Sequence, residues 1–280
     1  MWKWLICLFF SVIVLVGDAN SQAFYARNLN RKWTANAGLG IGSYFGDLNN
    51  PGDIVDFTPQ LNLGMRYLFG RQFSVGSNLA WFITRGDDKE AKDPGRAVRN
   101  LSFTSNNIEL NFVGYVDFFP RGPRFYQRPT VNPYAFAGFG ITYYNPKAKY
   151  DGKWYALRPL KTEGVGYSPI TAVIPAGLGI RFRITPYFDL SLEGGYRVMF
   201  TDYFDDVSNR YIDPNLFTDP IARKLADRRD EIGLPLWDAG HVRGNPDSND
   251  GYFLFNAKIE YYLTDIFKRD AFNRTIRRRK

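Results

Sequence analysis

Gln60-Leu61-Asn62-Leu63-Gly64-Met65-Arg66-Tyr67-Leu68-Phe69 is followed by Gly70-Arg71-Gln72 and then by Phe73-Ser74-Val75-Gly76-Ser77-Asn78-Leu79-Ala80-Trp81. In the first arm Leu61, Leu63, Met65, Tyr67 and Phe69 alternate with Gln60, Asn62, Gly64 and Arg66. In the second, Phe73, Val75, Leu79 and Trp81 alternate with Ser74, Gly76, Asn78 and Ala80. A period of two puts apolar and polar side chains on opposite faces of a strand. Three residues between two such arms make a tight hairpin.

The same alternation recurs on both sides of this hairpin. Before it, Trp33, Ala35, Ala37, Leu39 and Ile41 face away from Thr34, Asn36, Gly38 and Gly40. After it, Ile108, Leu110, Phe112, Val116 and Phe118 oppose Asn107, Glu109, Asn111, Tyr115 and Asp117. Further on, Ala172, Ile174, Ala176, Leu178, Ile180 and Phe182 oppose Thr171, Gly177, Gly179, Arg181 and Arg183. Phe188, Leu190, Leu192, Tyr196 and Val198 then oppose Asp189, Ser191, Glu193 and Arg197. Last, Phe253, Phe255, Ala257, Ile259 and Tyr261 oppose Asn256, Lys258 and Glu260. Residues 134–144 are apolar or small on both faces, so they predict a strand without deciding its orientation. Pro175 lacks a ladder donor and predicts a bulge. The count is eight strands.

Each segment is about ten residues long, enough to cross an outer membrane at a tilt of about 45°. Arg66, Glu109, Asp117, Arg181, Arg183, Asp189, Glu193, Arg197, Lys258 and Glu260 all sit on polar faces. Charges on non-adjacent strands meet only if those faces enclose a lumen. Tyr67, Phe69, Phe73, Phe118, Phe119, Tyr187, Phe188, Tyr261 and Tyr262 gather at strand ends, as interfacial girdles do. In 280 residues there are 26 Gly and 16 Pro, too many for a helix bundle, and aromatics reach 17%. The predicted fold is all-β, an eight-stranded antiparallel transmembrane β-barrel of outer-membrane type. Eight strands enclose a lumen that side chains fill, which disfavours a metabolite channel. Short turns at 70–72 and 184–187 belong in the periplasm, and the long loops, the last spanning 201–249, belong outside. Residues 120–131 make one long periplasmic turn.

Residues 1–21 predict a signal peptide: Lys3, an apolar run over 5–16, then Ala19-Asn20-Ser21 ahead of Gln22. Its removal takes away Cys7, the sole cysteine, and with it thiol and cysteine-zinc chemistry. The barrel then spans 22–265 and a basic periplasmic tail 266–280. Of the net charge of +8, much lies in this tail. It has Lys268, Arg269, Arg274, Arg277, Arg278, Arg279 and Lys280 against Asp270. Arg121, Arg124 and Arg128 lie in the long periplasmic turn. These ten cations are the candidate partner-binding residues, suited to an acidic protein or to anionic lipid heads. An exported barrel has no call for nucleic acid.

Catalysis finds little to use. His241 is the sole histidine, placed in an outside loop with no serine partner for a His-assisted hydroxyl. Asp202, Asp205, Asp206 and Asp213 form an oxygen-rich stretch of the kind that holds calcium. However, the spacing is not an EF-hand's, and Asp-rich turns are common. No catalytic residue, metal or cofactor is assigned. Residues 220–231 predict a short helix able to cap the barrel mouth.

Several blocks carry a family resemblance. They are Tyr44-Phe45-Gly46-Asp47-Leu48, Asn145-Pro146-Lys147-Ala148, Thr162-Glu163-Gly164, Glu193-Gly194-Gly195-Tyr196-Arg197, and Phe200-Thr201-Asp202-Tyr203-Phe204-Asp205-Asp206-Val207-Ser208. In this order they resemble the PorG-like outer-membrane barrels of Bacteroidetes, components of the type IX secretion system. Phe204 replaces an expected leucine. The resemblance implies a non-enzymatic role. Such barrels tie the periplasmic ring of the lipoprotein PorK and its partner PorN to the outer membrane, in support of export of proteins with a C-terminal sorting domain. The expected partners are therefore outer-membrane lipid and ring proteins resembling PorK and PorN, with no small-molecule substrate. Two rival readings predict different behaviour: a surface barrel binding ligand or host through its outside loops, and an outer-membrane lipid-modifying enzyme dependent on His241.

Overall fold

The computed structural model describes residues 31–49, 57–123 and 126–263. The expected signal segment and the tail 266–280 lie outside the described residues. Ten strands are present: β1 Trp33–Phe45, β2 Thr58–Leu68, β3 Phe73–Asp87, β4 Ser102–Asp117, β5 Val131–Tyr143, β6 Pro146–Tyr150, β7 Lys153–Ala156, β8 Ile170–Arg183, β9 Phe188–Met199 and β10 Gly251–Tyr262. Eight of them close a ring, β1-β2-β3-β4-β5-β8-β9-β10 and back to β1, each antiparallel to its neighbours. The seam runs unbroken from Thr34↔Tyr262 to Phe45↔Gly251. Closure gives every interior strand two partners, which a sheet in hydrocarbon requires. β6 and β7 stand apart as a hairpin added to the outer end of β4. Asp151 and Gly152, with φ of 47° and 76°, make its turn, the primed geometry that two-residue hairpins favour.

The two faces fall as the alternation predicts. Leu39, Leu63, Phe139 and Leu178 are each 60% exposed or more on the outer wall. A band of that extent is untenable in water and is the surface a bilayer covers. No helix among the described residues is long and apolar enough to cross a membrane. The undecided fifth strand resolves as β5, with Asn132, Tyr134, Phe136 and Thr142 buried inside and Phe139, Ile141 and Tyr143 outside. Its inward aromatics need smooth opposing walls: a β-carbon at Gly195 would come within 2.6 Å of the Phe136 ring.

Two expectations need correction. Pro175 makes no bulge. The β5–β8 ladder lapses between Ala137↔Ala176 and Gly140↔Val173 and resumes in the same register, while the β8–β9 register continues unshifted past Pro175. The missing proline N–H thus costs local pairing on the β5 side alone. Tyr262 is no girdle residue. It is fully buried in the lumen, because it lies one residue beyond Tyr261 and the pleat turns it inward. Phe69, Phe73, Phe118, Phe119 and Tyr261 do face outward at the short-turn end.

Lipid and water exposure are separable by substitution. Leu63→Arg, on the outer wall halfway along β2, should lower stability by about 2–4 kcal/mol. Leu216→Arg, equally exposed but in the outer loop, should change it by less than about 0.5 kcal/mol. Urea titration of the barrel refolded into vesicles measures both.

Candidate functional site

Charges from β2, β4, β8, β9 and β10 meet in the lumen, joined by two arginines of the 120–131 turn. Near the short-turn end, Glu260 on β10 accepts from Arg66 on β2, from Arg181 Nε on β8 at 3.1 Å, and from Ser191 on β9. Arg181 continues to Asp117 Oδ1 on β4 at 2.8 Å, and Asp117 also pairs with Arg121. Beside it Asp189 accepts from Arg128 at 2.8 Å and from the Tyr262 hydroxyl at 2.9 Å. The Arg128 guanidinium lies 4.0 Å from the Tyr262 ring centre. Higher up, Lys258 pairs with Glu193 at 2.6 Å, and Tyr134 donates to the same carboxylate at 3.1 Å. Arg197 approaches Glu109 at 3.6 Å, and Glu109 also accepts from Tyr252. The bonds of Glu260 to Arg66 and Arg181, of Asp117 to Arg181, of Glu193 to Tyr134 and of Glu109 to Arg197 and Tyr252 cross the lumen between strands that are not neighbours in the sheet. Lys258–Glu193, Ser191–Glu260 and Tyr262–Asp189 join the adjacent β9 and β10. A low-dielectric interior makes each pairing strong and each omission costly.

The candidate docking arginines therefore divide. Arg121 and Arg128 are buried and paired with Asp117 and Asp189 inside the mouth at the short-turn end. They belong to the network and do not stand on a surface. Arg183, read as a lumen charge, donates to the carbonyls of Tyr126 and Arg128 and holds the 120–131 turn against the barrel end. Arg124, Lys268, Arg269, Arg274, Arg277, Arg278, Arg279 and Lys280 lie outside the described residues.

The opposite mouth is closed by a packed cap. Phe204 stacks on Tyr252 at 5.6 Å, Tyr252 stacks on Phe82 at 4.6 Å, and Leu48, Leu101, Leu157, Met199 and Leu225 complete the cluster. Leu225 comes from the helix Pro220–Ala226, whose N-terminus is capped by Asp219. This helix is shorter than the 220–231 expected, because Asp227 leaves helical geometry and a separate 3-10 turn, Arg229–Ile232, follows.

Ala148 of one resemblance block packs in this cap, and three further blocks converge in it through hydrogen bonds. Glu163 accepts from the Ser208 and Asn209 amides at 3.0 Å and from Arg243 at 2.8 Å. Asp206 accepts from Thr162 and from Tyr167 at 2.6 Å. The Tyr44 hydroxyl lies 2.5 Å from Asp205 and 3.1 Å from Asp250. A phenol has one hydrogen, so one of those two bonds needs a protonated carboxyl as its donor. Burial pushes both carboxyls well above their usual range, helped by repulsion from Asp47 at Asp205 and from Asp205 and Asp202 at Asp250. Burial likewise raises Asp202 to about 7, with Ser208 partly offsetting it. Asp206 rises to about 6, burial outweighing the pull of Arg243.

The four aspartates of the oxygen-rich stretch do not converge on a common point. Asp205 and Asp206 serve the bonds just given, and Asp213 caps the turn Pro214–Leu216 through the Asn215 amide. His241 is exposed and stacks on Trp237 at 3.6 Å, with Arg229 on the same indole at 3.7 Å. The β6–β7 hairpin escaped the sequence reading, although the Asp151-Gly152 turn signal between Lys149-Tyr150 and Lys153-Trp154 marks it.

Glu260→Ala should cost about 3–5 kcal/mol by stranding Arg66 and leaving Arg181 with Asp117 alone. Lys224→Ala, which removes an exposed pair with Asp230, should cost less than about 1 kcal/mol. Heat-modifiable gel migration ranks them. The cap carboxyls set a pH dependence. Their folded pKa values exceed the unfolded value near 4, so the folded cap holds extra protons and its stability falls as pH rises from about 4 to about 7. Cleavage within 201–250 by an added protease should be slower at pH 5 than at pH 8. Asp202→Asn should flatten the difference.

The profile of the family described as "Outer membrane protein beta-barrel domain" matches residues 11–217. No curated protein matches the chain. Among solved structures, the chain is similar to Neisserial surface protein A (10% identity, TM-score 0.42, covering 82% of this chain and 97% of that one). It is also similar to OprG of Pseudomonas aeruginosa (10%, 0.42, 85% and 98%) and to outer membrane protein W of E. coli (15%, 0.39, 85% and 100%). With its closed ring of eight strands, apolar outer wall and match over most of its length, the chain belongs to the outer membrane protein beta-barrel domain family.

Proposed function

We propose that this outer-membrane barrel is a non-enzymatic anchor that ties a periplasmic assembly to the membrane, in the manner of PorG-like barrels and the ring of the type IX secretion system. The observation that carries this reading is the filled interior. Ion pairs occupy the lumen from Arg128 and Asp189 at one mouth to Arg197 and Glu109 near the other, and the apolar cap lies above them. A barrel so occupied offers no conduction path, and its cap aspartates and His241 form no nucleophile–base pair. Holding something in place is the role that such a solid body suits.

Lipid grips the outer wall and a periplasmic partner grips the end with the short turns. The tail residues Lys268, Arg269, Arg274, Arg277, Arg278, Arg279 and Lys280, together with Arg124, supply positive charge for an acidic face on ring proteins resembling PorK and PorN. One exposed ion pair contributes only about 0–1 kcal/mol, so the cations act as a cluster on a complementary patch. Arg121 and Arg128, already paired in the lumen, stiffen the mouth at the short-turn end.

Replacing Arg277, Arg278 and Arg279 by Gln should reduce recovery of periplasmic ring proteins after cross-linking in intact cells, while heat-modifiable migration stays normal. Unchanged recovery would remove the tail from the contact. Recovery of no periplasmic protein even with the unaltered chain would favour a surface barrel that works through its outer loops.

A further inference from the structure

A cleft of about 470 Å³ opens on the outside of the barrel wall, between the ends of β3 and β4 and the β6–β7 hairpin. It lies directly above the lipid-facing surface. On β3 the outward positions run Ile83, Arg85, and on β4 they run Ile108, Asn106, Thr104. Two residues along a strand advance about 7 Å, so the wall changes from apolar to polar, with Arg85 and then Asp87 on β3, over the depth of a lipid headgroup.

Register builds the floor of the cleft. Arg85 pairs with Thr104, Thr104 with Lys147, and Lys147 with Ala156, so one row crosses β3, β4, β6 and β7. The hairpin has two faces. Ala148, Tyr150 and Tyr155 pack on the cap cluster, while Lys147, Lys149 and Trp154 share the other face, with Lys149 directly opposite Trp154. Trp154 is 57% exposed. Lys89 closes the far wall. Among the described residues, Lys89, Lys147 and Lys149 stand in no ion pair. Three carboxylates also line the cleft: Asp87, which accepts from the Lys89 amide, Glu90 beside Lys89, and Asp151 in the hairpin turn; Arg85, Lys89, Lys147, Lys149 and Arg228 outnumber them.

We infer that this cleft binds the phosphorylated sugar headgroup of an outer-leaflet lipid. Ammonium groups and hydroxyls in one row suit phosphate oxygens. An exposed indole beside them offers a flat apolar face to a sugar ring, a use of aromatic surface that leaves its polar edge in water. The height above the apolar band points to a lipid-borne source, whose acyl chains would lie along Ile83 and Ile108. This goes beyond the anchor reading and does not depend on it.

The test uses the full chain in vesicles of phosphatidylethanolamine with or without diphosphoryl lipid A, extracted into mild detergent and weighed intact by mass spectrometry. Retention of one lipid A per barrel is expected. It should fall at least tenfold in Lys147→Gln/Lys149→Gln and in Trp154→Leu, each with normal heat-modifiable migration. Monophosphoryl lipid A should be retained less. Equal retention by the variants, or no preference over phosphatidylethanolamine, would overturn the assignment. So would displacement by inorganic phosphate as effective as by diphosphoryl lipid A, since that outcome marks a free-anion site.

Discussion

Closure of the sheet in hydrocarbon is the constraint from which the rest of this molecule follows. An unpaired backbone amide in the bilayer core costs several kcal/mol, so a spanning sheet has no acceptable edge. Joining β1 to β10 removes the edge, and in doing so creates an inside. Once there is an inside, the polar residues of all eight strands must satisfy one another. Glu260 serves Arg66 and Arg181, Asp117 serves Arg181 and Arg121, and Glu193 serves Lys258. Small residues such as Gly195 then let the inward rings lie flat within the same space.

Where the environment on each face of a strand is simple, the sequence discloses it. β2, β4, β9 and β10 lie between hydrocarbon and a charged lumen, and their alternation assigns each side chain correctly. β5 is obscure because its inward Tyr134 and Phe136 resemble lipid-facing residues; what places them inside is Glu193 and Gly195 on a strand far away in sequence. The upper parts of β3 and β4, beyond Ile83 and before Ile108, rise above the membrane and lose the two-sided contrast that a period of two reports. The β6–β7 hairpin is hidden for a related reason, since its apolar face meets a cap assembled from segments distant in sequence. The arginines of the 120–131 turn show the limit most clearly. Asp117, four residues before Arg121, hints at a partner, but nothing local to Arg128 announces Asp189.

The blocks that carry the family resemblance acquire a physical meaning. Tyr44, Asp47, Thr162, Glu163, Asp205 and Asp206 hold the loops over the mouth through buried hydrogen bonds. They are the parts of an outer loop that cannot vary without unseating it. Phe204 brings an aromatic ring onto Tyr252 within the cap. A motif that reads as a signature of function is here a signature of a sealed end.

Glu260 lies on the last strand, yet the two arginines it neutralises lie on β2 and β8. A chain halted before β10 would hold Arg66 without its carboxylate and leave Arg181 to Asp117 alone, facing a bilayer that does not tolerate a bare guanidinium. Charge compensation and completion of the wall are therefore one event. Biogenesis of this barrel cannot be a strand-by-strand passage into lipid; the emerging sheet must stay hydrated or chaperoned until its C-terminal strand arrives to finish both.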